Sequence, residues 1–186
     1  AYSAMTKGVE INIDEYIQYI KDCGTNITAA ISLDVIGDGD ETYSRWKYMQ
    51  RKGVETIPTY HLSTDVKFLE RYIEETDYVG IGGVAGVTTS RTAREAFNML
   101  WREVLTDSDG FPLVKIHAMG ITDVTILTDF PFWSIDSSTW LMTSRRGIII
   151  IPGLDSKEPD YLQAKRVEVS SKSPHRKKRG QHLENL

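Results

Sequence analysis

Apolar residues in this chain recur in two rhythms, short compact runs and longer stretches where they fall three or four positions apart. The alternation of the two sets the expected architecture. Residues 13–20 place Tyr16, Ile17 and Ile20 on one helical face, with Asp14 available as a cap and Cys23-Gly24 as a stop. A compact run at 29–36 then reads as a strand carrying Asp34 near its end, and a helix over 41–52 follows with Tyr43, Trp46 and Met49 facing inward. The same pairing returns as a strand at 56–61, ending in His61, and a helix at 65–75. It returns again as a strand at 77–84, ending in glycines, and a long helix at 88–105 with Ala93, Ala96, Phe97, Leu100 and Val104 as its buried stripe. A strand at 113–119, a short helix at 123–130 and strands at 132–135 and 147–152 complete the pattern. Past 155 the repeat lapses: 161–169 fits a strand or a helical turn, and the Ser, Pro and basic residues beyond it read as a flexible tail.

Strands separated by helical crossovers mean βα units and a parallel sheet. Short strands apolar on both faces, with polar residues and glycines gathered at their carboxyl ends, fit a (β/α) barrel. A doubly wound sheet is the alternative, and no Gly-x-Gly-x-x-Gly opens a helix to support it. Six strands are fewer than an eight-stranded barrel needs, and the chain starts on Ala1-Tyr2-Ser3 without a preceding strand or cap. The expected fold is therefore α/β, a partial (β/α)8 barrel over 1–155 whose amino-terminal strands are missing from this chain. Residues 156–186 form a carboxy-terminal extension.

Composition narrows the class. No apolar run is long enough to span a bilayer and no signal-like segment opens the chain, which predicts a soluble, cytoplasmic protein. Cys23, the single cysteine, excludes an internal disulfide and any Cys-cluster zinc site within these residues. The net charge of −4 hides an acidic body and a basic stretch at 165–179 that ends in Arg176-Lys177-Lys178-Arg179. That stretch is either a solvated tail or an arm that contacts phosphates.

In one parallel barrel the strand ends would gather Asp34, His61, Gly82, Gly83, His117, Gly120 and Asp136 at a common site. Asp136 ends the apolar run at 132–135, where an ionised carboxylate is expensive to desolvate and so is usually put to use. The plainer reading makes it a cap for the turn with Ser137 and Ser138. Two carboxylates on different strands and a glycine pair that brings backbone N–H groups against a planar ligand suit a base-binding pocket, and equally many other barrel enzymes.

Gly80-Ile81-Gly82-Gly83-Val84-Ala85-Gly86, then His117-Ala118-Met119-Gly120, then Ser134-Ile135-Asp136 follow the motif order of the tRNA-guanine transglycosylase superfamily. The chain resembles that family from Ala1 to about Ile151, and its wording is most similar to the phage and bacterial branch that places 7-deazaguanines in DNA. Ala1-Tyr2-Ser3 resembles the remainder of the family's Asp-Ser-Gly-Gly-Phe-Gln motif, whose Asp, the general base, would lie just before Ala1. The resemblance implies a glycosyltransferase in which Asp136 attacks C1′ of a guanosine, expels guanine and holds the nucleic acid covalently until a 7-deazaguanine displaces it. It further implies that Asp34 reads the amino and imino edge of the base, that Gly82, Gly83 and Val84 offer backbone groups to its carbonyl, and that Met119-Gly120 form the floor beneath it. His61 stands where the family has a base-reading Gln, and His117 lines the same pocket. The implied partners are a nucleic acid and a 7-deazaguanine base in a bacterial or phage-infected cell, with no membrane; a homodimer is compatible.

The family's zinc site, three Cys and a His beyond the nucleophile, is absent, so no cofactor is expected: either this branch dispenses with zinc or the chain stops short of it. Ser137-Ser138 replace the Thr-Arg that follows the nucleophile in the tRNA enzymes, which leaves DNA and tRNA both open. Two other classes remain, a (β/α) barrel enzyme using Asp34 and Asp136 as an acid/base pair on a small molecule, and a catalytically inactive nucleic-acid-binding paralogue.

Overall fold

The structure, a computed structural model, describes residues 8, 10–82, 90–121, 123–137, 143–153 and 160–169. Helix α1 (Ile13–Cys23) is capped by Asn12, not Asp14: the Asn12 Oδ1 accepts from the N–H groups of Asp14 (2.9 Å) and Glu15 (3.2 Å). A cap must sit outside the first helical residue, where the orphan N–H groups point, and Asp14 already lies inside. Helix α2 (Gly39–Arg51) starts two residues before the expected position 41 because Asp38 caps it, accepting from Glu41 N–H at 2.9 Å. Glycine opens this helix because a Cβ on Gly39 would stand 2.3 Å from the Phe68 ring.

Four βα-type strands follow in order: β1 (Thr59–His61), β2 (Tyr78–Gly82), β3 (Lys115–Ala118) and β4 (Ser134–Ile135). Between them run α3 (Lys67–Glu75), α4 (Ser90–Glu103) and α5 (Val124–Asp129). The strands are all parallel and lie side by side in chain order, with Gly80 opposite Thr59 and His117, and His117 opposite Ser134. The segment expected as a strand at 29–36 touches β1's edge through a single parallel bridge, Ile31 to Ile57. Beyond that bridge its backbone turns to α2: Val35 N–H donates to Thr42 Oγ1 at 3.0 Å, and Thr42 Oγ1 donates to the Asp38 carbonyl at 2.6 Å. Among the described residues the sheet is open, not closed into a barrel.

Alternation along the strands gives the sheet two faces. One carries Tyr60, Val79, Ile81, Ile116 and Ala118, all buried, as are Leu69 and Tyr72 of α3 and Ala93, Phe97 and Leu100 of α4. Each such aliphatic or aromatic side chain contributes roughly 1.5–3 kcal/mol of burial. Phe97 and Trp101 meet Phe130 and Phe132 with ring centroids 5.1–5.6 Å apart, which fixes the chain entering β4. The opposite face carries Thr59, His61, Tyr78, Gly80, Gly82, His117, Met119, Ser134 and Asp136.

Packing divides the chain into two units, Ala1–Ile121 with Phe130–Asp136, and Thr122–Asp129 with Ser137–Leu186. The run expected as a further parallel strand at 147–152 belongs to the second unit. There β5 (Ile148–Gly153) pairs antiparallel with β6 (Asp160–Glu168), from Ile148 opposite Glu168 to Gly153 opposite Asp160. An unbroken isoleucine run has no period, so its sequence is compatible with a buried parallel strand or with a hairpin strand, and the adjacent β6 supplies the nearer partner. No helix among the described residues is long and apolar enough to cross a membrane.

Candidate functional site

Asp34 and His61 form one end of the site. The Thr42 clip and the bond from Tyr16 hydroxyl to the Ile31 carbonyl (2.9 Å) hold the Asp34 segment between α1 and α2. His61, the last residue of β1, is fixed from behind: Thr64 N–H (2.9 Å) and Thr64 Oγ1 (2.8 Å) both donate to its carbonyl. Its Nε2 lies 2.7 Å from Asp34 Oδ2, with the imidazole 3% and the carboxylate 14% exposed. Burial acts to raise the Asp34 carboxyl, but the hydrogen bond and charge of His61 outweigh it and leave the group below its usual value. Asp34 is therefore an ionised acceptor and not an acid at neutral pH. His61, placed by the resemblance at a base-reading position, is buried against Asp34 instead.

Met119 lies across the middle of the face. A Cβ on Gly80 would meet Met119 Cε at 2.3 Å, and one on Gly82 would meet Met119 Sδ at 3.4 Å and the His61 ring at 3.6 Å. The glycines of β2 thus make room for the thioether, which covers them as a flat apolar floor between His61 and His117.

Asp136 follows β4, and its N–H donates to the Ala118 carbonyl at 3.2 Å, continuing the ladder. Gly120, at φ 66, turns the chain after β3 so that its own N–H donates to Asp136 Oδ1 at 2.8 Å. Only glycine adopts that φ without strain. His117 Nε2 stands 3.5 Å from the same oxygen. On its other side, His117 Nδ1 lies 2.5 Å from Ser134 Oγ, which is 2.5 Å from the Tyr78 hydroxyl. The Asp136 side chain is 64% exposed, contrary to the desolvated carboxylate expected at the end of the apolar run 132–135. The reason lies in the aromatic run itself: Phe132 turns into the α4 cluster, whereas Trp133 and Ile135 remain 68% and 50% exposed.

His61, Gly82, His117, Met119, Gly120 and Asp136 therefore gather at the carboxyl ends of neighbouring parallel strands within the first unit, and Asp34 joins them through its bond to His61. Gly83 and Val84 lie outside the described residues, as do Ala1-Tyr2-Ser3 and the basic residues beyond 169. Tyr78 and Ser134 were not singled out from the sequence, although Ser134 shares Asp136's parity and so its face. Among the described residues no three His, Cys, Asp or Glu side chains stand together as a metal-holding group, and Cys23 is alone on α1. Concavities of about 510 Å³ over α1 and α2 and about 590 Å³ beside Trp101 are lined by none of the strand-end residues. No protein-family model, curated protein or solved structure matches this chain.

Proposed function

We propose that this chain carries the catalytic site of a nucleic-acid base-exchange transglycosylase, replacing guanine with a 7-deazaguanine through a covalent aspartyl intermediate. The observation that carries the reading is one sheet face on which an exposed carboxylate and an apolar floor occupy adjacent strand ends, with a partly buried, ionised carboxylate bonded to His61 beside them. Asp136 attacks C1′ of the nucleoside, where the oxocarbenium-like transition state needs an adjacent anion. The C1′–N bond breaks with its electron pair on guanine, which takes a proton from solvent. In the second half the incoming base gives up its ring proton to solvent, bonds to C1′ and releases the carboxylate. Met119 supports the base, and Asp34 accepts hydrogen bonds from its N–H edge, a task that requires the ionised state His61 favours.

The sheet is, in this reading, part of a (β/α)8 barrel. Support comes from the strand order: Ile31, β1, β2, β3 and β4 are neighbours in chain order, all parallel, without the reversal that defines the switch point of a doubly wound sheet. An acid/base pair of Asp34 and Asp136 on a small molecule fits less well, since the proton an acid must carry is disfavoured on Asp34. The reading is tested in the full gene product by incorporation of radiolabelled 7-deazaguanine base into guanine-containing DNA and into tRNA. Exchange on either polymer supports it and identifies the polymer; absence of exchange on both removes it.

A further inference from the structure

Asp136 is held asymmetrically. Its Oδ1 receives the Gly120 N–H at 2.8 Å and faces His117 Nε2 at 3.5 Å, whereas among the described residues no hydrogen bond reaches Oδ2. Behind His117 runs a chain of polar atoms across three strands: Tyr78 of β2, Ser134 of β4, then His117 of β3. Its direction follows from donor and acceptor inventory. At 3.5 Å the approach of His117 Nε2 to Asp136 is an ion-pair contact and not a hydrogen bond, and because a carboxylate only accepts, a proton on the facing nitrogen is the arrangement that makes the contact attractive. In a neutral imidazole Nδ1 is then an acceptor and takes the Ser134 hydroxyl proton, and the Ser134 oxygen takes the proton of Tyr78. Each hydroxyl gives in one direction, and the relay fixes the Nε2–H tautomer.

We infer that His117, set by the Tyr78–Ser134 relay, is a positioning residue for Asp136, anchoring Oδ1 and leaving Oδ2 as the oxygen that bonds to carbon. The inference rests on the transglycosylase reading for its chemistry. The Oδ2–C1′ bond forms as the C1′–N pair departs on guanine, and Oδ1 becomes the carbonyl oxygen of the ester. When the second base attacks C1′, the Oδ2–C1′ pair returns to the carboxylate, and the N–H groups on Oδ1 stabilise the charge as it re-forms. Loss of His117 should therefore slow release of the ester and let the covalent adduct accumulate. Second-neighbour partners that orient a functional group are typically worth 10–100-fold.

The test uses the full gene product with ¹⁵N-labelled histidine, and long-range ¹H–¹⁵N spectra identify the tautomer of His117, whose signals are those missing in His117→Asn. The expected result is an Nε2–H tautomer that becomes a mixture in Ser134→Ala and in Tyr78→Phe, the latter removing only the hydroxyl oxygen and keeping the ring. An Nδ1–H tautomer in the wild type, or spectra unmoved by both substitutions, overturns the relay. In exchange assays on guanine-containing DNA and tRNA, His117→Asn should lower kcat at least tenfold, with KM for the polymer falling alongside it as the steady-state fraction of adduct rises; a raised KM with unchanged kcat and no extra adduct overturns the role. The two failures separate cleanly: spectra as expected without exchange by the wild type reject the transglycosylase reading alone, and exchange with the other tautomer rejects the relay alone.

Discussion

His61 is the residue at which sequence and structure part most usefully. Its placement at a strand end was legible from the apolar run before it, but its partner was not, because Asp34 lies twenty-seven positions away and no periodicity reports a bond over that distance. The pairing has a consequence for pH. The folded chain holds the Asp34 carboxyl below its usual value, so the pair contributes stability that is present above the unfolded value of about 3.8 and is lost as pH falls through the native one. Denaturant titrations from pH 7 to pH 3 should show stability falling in that acid window, and Asp34→Asn should flatten the fall; equal slopes would make the pair silent. Asp34→Ala, which leaves the buried imidazole without its hydrogen-bond partner, should cost about 1–3 kcal/mol at neutral pH. In ligand titrations Asp34→Asn should weaken 7-deazaguanine binding by about tenfold or more. Asp136 shows the opposite case: its position after β4 was legible, its exposure was not, because an apolar run of Phe132, Trp133 and Ile135 does not say which of its side chains finds a neighbour.

Among the elements, those with a helical period were the most legible. Of the stripe read on α4, Ala93, Phe97 and Leu100 are buried as the spacing required, whereas Ala96 is half-buried and Val104, also half-buried, lies just past the helix end. The strands were legible in kind and order, but less so in partnership: 29–36 makes one bridge, and β5 leaves the parallel sheet for a hairpin. Short apolar runs carry strand propensity without naming the neighbour. Gly82, at the end of β2, was read as a backbone donor, and the structure adds a steric reason for glycine at Gly80, whose missing Cβ leaves space for Met119. Gly80→Ala forces the methionine off the sheet while sparing the backbone, the nearest main-chain atom being the Pro58 carbonyl at 3.4 Å. Overpacking of this kind costs typically about 1–3 kcal/mol. The expected outcome is a drop of that size in chemical denaturation together with weaker base binding; unchanged values for both would mean that Met119 does not lie over β2.

At the scale of the whole molecule, the second unit and the stretch beyond it carry the charge asymmetry. Lys165 and Arg166 lie on β6, and the five remaining basic residues of 165–179, Lys172, Arg176, Lys177, Lys178 and Arg179, follow outside the described residues. Phosphate contacts by those residues would appear as counterion release. Truncation after Val169 should then lower the slope of log affinity against log salt on DNA by up to about 4, without altering the base exchanged. An unchanged slope would assign the stretch to solvent. The central claim is that Asp136 forms a covalent bond to the nucleic acid, and the most direct measurement is mass spectrometry of the denatured full gene product after incubation with guanine-containing DNA or tRNA. The account predicts a denaturation-resistant adduct whose cross-linked peptide contains Asp136, and none in Asp136→Asn, which should still fold and bind the polynucleotide. An adduct mapped to another residue, or one that persists in Asp136→Asn, would contradict it.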